Sequence, residues 1–157
     1  MKTLQIDNAV FFEEVMQHIR SGEKVRIRAK GNSMLPLIHS GRDEITLQPL
    51  TSQSIQKGNI VLARLQNGMY VLHRIAKLQQ GNVWLRGDGN PHTQERCTVE
   101  DLLAETVEIS RDGKSITSRS LQWKIVRYLW PANGFLRRIL LAVYRRTVYR
   151  AALLPST

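Results

Sequence analysis

The chain has 157 residues, which is enough for one domain of ordinary size and short for two. Hydrophobic residues make up 42% and charged residues 23%, so the chain can bury a core and is not expected to be disordered. The single cysteine, Cys97, excludes an internal disulfide framework and a zinc site built on several thiolates.

The excess of positive charge is concentrated at the C-terminal end. Residues 1–120 contain 16 basic and 13 acidic side chains, whereas residues 121–157 contain 7 basic and no acidic ones. Most of the formal net charge of +10 therefore comes from this tail and little of it from the body of the chain.

The sequence predicts neither a cleavable signal peptide nor a membrane-spanning helix. Acidic residues interrupt the apolar residues near the N-terminus, and no uncharged apolar run approaches the length of about 18 residues that a span needs. We therefore expect a cytoplasmic protein or one that associates peripherally with a membrane.

The first part of the chain predicts a helix followed by a strand. Asp7 is a candidate cap for a helix that ends near Arg20, and residues 24–29 alternate apolar and charged side chains as a half-buried strand does. Residues 31–41, around Pro36, read as a loop or a short helix.

Residues 44–109 are typical of β structure throughout. Short runs rich in β-branched residues are separated by turn-forming dipeptides, of which Asn67-Gly68 and Gly81-Asn82 predict hairpins. Five or six strands and one leading helix predict a mostly β domain, a small, curled, antiparallel sheet or barrel with an N-terminal helix over residues 1–118.

Residues 119–157 predict a basic amphipathic helical tail, with a break or kink at Pro131. Two interpretations of its apolar face stay open: it lies on an anionic membrane surface, or it packs on the domain's own sheet. Nucleic-acid binding is not expected, because no stacking aromatics are interleaved with the arginines.

Three features could carry chemistry. Ser33 lies in KGNSMLP between two turn-forming signals, where a bend can expose a nucleophilic hydroxyl. His73 shares a strand face with Val71 and Ile75 and could act as a general base. Asp88 lies in a Gly-Asp-Gly turn and could orient an imidazole. Each also has an ordinary explanation: an exposed loop serine, a hydrogen-bonded core histidine and a simple turn.

Read in chain order, four boxes give a sharper interpretation. GNSMLP, GNIVLARL, YVLHRI and LRGDGN together resemble the signal peptidase I and LexA-type superfamily of serine peptidases, over about residues 25–109. The histidine is similar to that of the signal peptidases of the endoplasmic reticulum, archaea and some sporulating bacteria. Most bacterial signal peptidases and the LexA-type proteins have a lysine at the corresponding position.

The resemblance implies a role for each matching residue. Ser33 would be the nucleophile, the backbone of Gly31, Asn32 and Ser33 would form the oxyanion hole, and His73 would be the base. Asp88 would support the site, and substrate would contact Met34 and Pro36. No cofactor or metal is implied.

The sequence departs from the family's pattern at three places. The first Gly-Asp pair is interrupted as Gly41-Arg42-Asp43, and the second reads Gly58-Asn59. Endoplasmic-reticulum-type enzymes also have a second acidic residue at the position of Gln94, beside which Glu95 stands. Which carboxylate completes a triad is therefore open.

The resulting expectation is a signal-peptidase-like serine endopeptidase that cleaves a leader or signal segment of a peptide or protein by a Ser-His mechanism. Its substrate would be an extended peptide added alongside a strand edge. The alternatives are a catalytically silent β domain used as a binding module and a LexA-like regulatory protein that cleaves itself.

Overall fold

A computed structural model describes residues 8–150, which form three helices and one strongly curled antiparallel sheet. The helices are α1 (Asn8–Arg20), α2 (Leu121–Leu129) and α3 (Gly134–Tyr144), and α3 continues into a π-helical turn, Arg145–Tyr149. The strands are β1 (Val25–Arg28), β2 (Glu44–Pro49), β3 (Ile60–Arg64), β4 (Tyr70–Gln79), β5 (Asn82–Arg86), β6 (Glu95–Thr98), β7 (Leu102–Arg111) and β8 (Lys114–Thr117), with a 3₁₀ turn at Val99–Asp101.

The strands follow the order β1-β2-β7-β3-β4-β5-β6, and β8 pairs with the end of β7. The register shifts within the β2–β7, β3–β7 and β4–β5 pairs, so three irregularities bend the sheet. Because each bulge adds local twist, they account for the half-barrel curvature. The predicted fold class is confirmed.

The five or six strands expected from periodicity correspond to β1–β5 and β7, whereas β6 and β8 were not expected. Residues 92–97 read as a loop in the sequence, but Glu95–Thr98 pairs along β5, which places Cys97 within a strand. The tail breaks around Pro131 as predicted, and Asn133 caps α3 by accepting the N–H groups of Phe135 and Leu136. The predicted cap Asp7 lies outside the described residues.

The core consists of two clusters separated by the sheet. β3 is buried on both of its faces: Leu62 points into the cluster under α1, and Val61 and Ala63 point into the other. The apolar face of α1, with Val15, Met16 and Ile19, covers the first cluster.

The tail packs against the domain as well as carrying charge. Trp123 and Val126 of α2 join the first core cluster, and Leu141 of α3 is also buried. No helix within residues 8–150 has the length and apolar character to cross a bilayer. The boundary at residues 118 and 119 stays a prediction.

Residues 29–43, which connect β1 to β2 and include Ser33, are called the serine loop below. His39 of this loop is buried, and its Nε2 contacts the hydroxyl of Tyr144, which also donates to the Pro36 carbonyl at 3.3 Å. The end of α3 is therefore held against the serine loop by polar contacts.

Acid should destabilise the fold through His39. Burial, followed by the positive charge of Arg111, holds the pKa of His39 below its ordinary value of 6.5. The unfolded chain therefore takes up a proton that the folded chain resists, and the free energy of unfolding should decrease as pH falls below about 6.5. Denaturant unfolding over a pH series should show this loss in the wild type and a smaller one in His39→Gln. Parallel pH profiles for the two proteins would contradict it.

Candidate active site

The serine loop is closed at its neck by backbone hydrogen bonds. The Ala29 N–H donates to the Asp43 carbonyl at 2.9 Å, and the Gly41 N–H donates to the Ala29 carbonyl at 2.9 Å. Because the two ends are tied together, the loop between them is a compact turn whose apolar side chains Met34, Leu35, Leu37 and Ile38 are buried.

The side chain of Asp43 fixes the inside of this loop. It is fully buried, accepts the His39 N–H at 2.7 Å and is bound by two nitrogens of the Arg111 guanidinium. A buried carboxylate needs such partners to stay charged. The aspartate that the sequence displaces by one position from the family's first box is thus a structural anchor of the serine loop.

Ser33 is half-buried in the turn, between exposed Asn32 and buried Met34. Within the described part of the chain, the N–H groups of Asn32 and Ser33 make no hydrogen bond, as the donors of an oxyanion hole require. Gly31 differs, because its N–H donates to Ser40 Oγ at 2.9 Å. The structure therefore leaves two of the three predicted backbone groups for an oxyanion hole.

The loop that follows β5 lies directly against the serine loop. The Gly89 N–H donates to the Ser33 carbonyl at 2.8 Å. A Cβ atom at Gly87 would lie 2.3 Å from the Ser33 carbonyl oxygen, and one at Gly89 would lie 2.3 Å from that of Asn32. Only glycine permits this approach of two backbones, so this Gly-Asp-Gly turn packs directly against the backbone of Asn32 and Ser33.

His73 lies on β4 and is 5% exposed. Its Nδ1 forms a 2.9 Å hydrogen bond with a carboxylate oxygen of Glu95, the first residue of β6. Among the described residues, Nε2 makes no hydrogen bond. A carboxylate on Nδ1 selects the tautomer with its proton there, which leaves a basic lone pair on Nε2.

Asp88 is not placed against His73. Its carboxylate is bound at both oxygens by Arg74, at 2.8 Å from Nε and 2.7 Å from Nη2, and both residues are buried. The Asp88 carbonyl also accepts the Trp130 indole N–H at 2.8 Å. Asp88 therefore ties the turn after β5 to β4, and the carboxylate in contact with the imidazole is Glu95.

Ser33 and His73 line the same cavity, which has a volume of about 690 Å³. Its apolar wall comes from α1, the serine loop and β4, and includes Phe11, Phe12, Met34, Ile38, Tyr70 and Leu72. The edge strand β1 and the start of the serine loop add Arg26, Arg28, Lys30 and Gly31. Of the two predicted substrate contacts, Met34 lines this cavity, whereas Pro36 lies in the loop beneath Tyr144.

The tail contacts three loops that belong to the sequence motifs: the serine loop, the turn after β5 and the segment before β3. Tyr144 reaches the serine loop, Trp130 reaches the turn after β5, and Arg127 donates to the Asn59 side chain at 2.7 Å. Arg137 of α3 is buried and donates to the Gly87 carbonyl at 3.2 Å. The helices of the tail thus form part of the frame that holds the candidate site.

The chain matches the family model described as Peptidase S24-like over residues 2–113. It belongs to that family. The match supports the resemblance to the serine peptidases of the LexA and signal peptidase superfamily, and it ends between β7 and β8, ahead of the tail helices. No curated protein gives a match. The closeness of this S24-like protein to the endoplasmic-reticulum type stays a prediction.

The contact between Glu95 and His73 is the part of the candidate site that sequence reasoning left open. Glu95 stands one position after the place where the resemblance requires an acidic residue, and its own segment reads as a loop. The pairing of β6 with β5, which aligns Glu95 with Leu85, is the feature that would have identified this contact. That pairing places Glu95 beside β5, the neighbour of β4, and so within reach of His73.

The Asp88→Ala variant should be strongly destabilised. It would leave the guanidinium of Arg74, a residue that is 8% exposed, without its counter-charge, and breaking a buried ion pair costs about 3–5 kcal/mol. Urea unfolding of the wild type and the variant measures the difference.

Asp112→Ala is the matched control, because Asp112 pairs with Arg42 at the surface and its loss should change the free energy of unfolding little. If Asp88→Ala is no less stable than Asp112→Ala, the structural role of Asp88 is wrong.

Proposed function

We propose that this S24-like protein is a serine endopeptidase in which Ser33 is the nucleophile, His73 the general base and Glu95 the carboxylate that orients the imidazole. The observation that carries the proposal is the setting of His73. His73 lines the cavity that Ser33 also lines, and its Nδ1 forms a 2.9 Å hydrogen bond with Glu95. Nucleophile, base and orienting group are the three parts of a triad, recognised by role and not by order in the chain.

The proposed reaction follows from these roles. Ser33 Oγ attacks the carbonyl carbon of the scissile bond while His73 Nε2 takes the hydroxyl proton. The negative charge on the carbonyl oxygen is stabilised by the N–H groups of Asn32 and Ser33. The imidazolium then donates its proton to the leaving amine, and water, deprotonated by the same histidine, hydrolyses the acyl-enzyme.

The proposed substrate is an extended peptide, such as a leader or signal segment. Among the described strands, β1 pairs on one side only, with β2, and two of its arginines line the cavity. A peptide added along β1 would gain backbone hydrogen bonds and would place alternate side chains toward the apolar wall. Apolar residues beside the scissile bond fit this wall, as they would in a leader segment.

Labelling with a fluorophosphonate probe tests the nucleophile and its base. The wild type should be modified at Ser33, as mapped by mass spectrometry, and Ser33→Ala should not be modified. His73→Ala should react about 10²–10⁴-fold more slowly, because general-base assistance is worth that much. A wild type that stays unlabelled while folded would overturn the peptidase proposal and favour a binding module.

Two further variants separate Glu95 from a general effect of charge. Glu95→Gln should slow labelling, and Glu95→Asp should restore part of the rate, because a carboxylate again stabilises the imidazolium. Glu100→Gln, which changes an exposed carboxylate in the nearby 3₁₀ turn, should label as the wild type does. Equal rates for Glu95→Gln and Glu100→Gln would remove Glu95 from the triad.

The purified chain should remain intact on storage. The described residues ahead of β1 lie mainly in α1, and a helix does not present the extended backbone that strand addition requires. Intact-mass measurement over time checks this expectation. Fragments that form in the wild type and not in Ser33→Ala would instead indicate the LexA-like, self-cleaving alternative.

A further inference from the structure

The helix α2 has two apolar faces, and the described residues cover one of them. Trp123 and Val126 are buried against the domain. On the opposite face, Leu121, Ile125, Tyr128 and Leu129 recur at helical spacing and are 72%, 42%, 71% and 75% exposed. Burial in the domain's own core therefore explains half of the apolar character of this helix.

The helix α3 shows the same division. Its packed face carries Arg137, Leu141 and Tyr144. A second stripe, formed by Leu136, Ile139, Leu140 and Val143, is 37–54% exposed, and Phe135 beside it is 72% exposed. An exposed apolar surface of this extent on a folded domain marks an interaction site. The two stripes with Phe135 are called the apolar stripes below.

The charge on the same elements is of one sign. Residues 121–157 have no acidic side chain, and five exposed basic ones are carried by α2, α3 and the turn after it: Lys124, Arg138, Arg145, Arg146 and Arg150. Within residues 8–150, none of the five takes part in an ion pair. The partner of this surface must therefore combine an apolar phase with negative charge.

We propose that α2 and α3 dock this protein on an anionic lipid surface, with the apolar stripes inserted at the boundary between headgroups and acyl chains. Short helices with one apolar face and arginines around the rest bind in the interface plane, through buried apolar area and attraction to anionic lipid. Lipid supplies both of the properties that this surface requires.

A second copy of the chain fits this surface less well. A two-fold contact through the apolar stripes would bring the arginines of both copies together without any carboxylate from the tail to offset them. A nucleic acid would match the charge but would leave the apolar stripes in water.

Docking would also place the candidate active site close to the membrane. Tyr144 at the end of α3 contacts the Pro36 carbonyl, and Tyr149 in the next turn donates to the Asn32 side chain at 3.4 Å. The serine loop therefore lies about one helix diameter, roughly 10 Å, from a lipid surface in contact with α3. A substrate that emerges from the bilayer would be within reach.

Co-sedimentation with vesicles tests the proposal. The full chain should pellet with phosphatidylcholine vesicles that contain phosphatidylglycerol, pellet weakly with phosphatidylcholine alone, and be released by salt. The double variant Leu129→Ser/Phe135→Ser should partition at least about tenfold more weakly, because two large apolar side chains no longer enter the lipid. Arg145→Gln/Arg146→Gln should weaken binding only to the anionic vesicles, by up to about fivefold per charge.

Val10→Ser/Met69→Ser is the matched control, since both side chains are exposed (63% and 56%) but lie outside the tail. It should pellet as the wild type does, and circular dichroism should show all variants folded. Two results would overturn the proposal: equal pelleting of the Leu129→Ser/Phe135→Ser variant and the wild type, or no pelleting with anionic vesicles. A lipid-free dimer that the same double variant abolishes would assign the apolar stripes to a second copy instead. None of these readouts depends on peptidase activity, so the outcome is separate from that of probe labelling.

Discussion

The candidate site depends on the close approach of two backbone segments, the serine loop and the Gly-Asp-Gly turn after β5. Glycines at positions 87 and 89 allow the carbonyl oxygens of Asn32 and Ser33 to lie where any Cβ would clash, and the Gly89 N–H donates to the Ser33 carbonyl. Because its carbonyl accepts this hydrogen bond, the backbone of Ser33 is held in one orientation. The rest of the structure keeps these two segments in place.

That support comes from charges and from the tail. Arg74 holds Asp88, and the Trp130 indole and the Arg137 guanidinium donate to backbone carbonyls of the same turn. Burial is the main cause, and the positive charge of Arg86 the second, that lowers the pKa of Arg137 to about 10. The side chain is therefore still protonated at neutral pH. A buried guanidinium that donates to carbonyl oxygens fixes a loop because its planar donors require their acceptors at set positions. The tail thus contributes to the site from outside the family match.

The sequence predicted the fold better than it predicted the carboxylate that accompanies His73. Strand periodicity and turn residues are local, so six strands, the leading helix and the break at Pro131 could be read directly from the chain. β6 could not, because four residues in a polar segment become a strand only through pairing with β5. The contacts of Arg127, Trp130 and Tyr144 with the motif loops also join residues far apart in sequence, and no local pattern predicts them.

The different roles of Asp88 and Glu95 follow from the alternation of side chains along β4. His73 and Arg74 are neighbours, so they point to opposite faces of the strand. The imidazole meets the Glu95 carboxylate on one side of the strand, whereas the guanidinium on the other side binds Asp88 in the turn that contacts the serine loop. Asp88 is engaged at both oxygens by Arg74, and no hydrogen bond joins it to His73 within the described part of the chain. The strand that carries His73 therefore also anchors the turn that contacts the serine loop, and a separate carboxylate makes each of the two contacts.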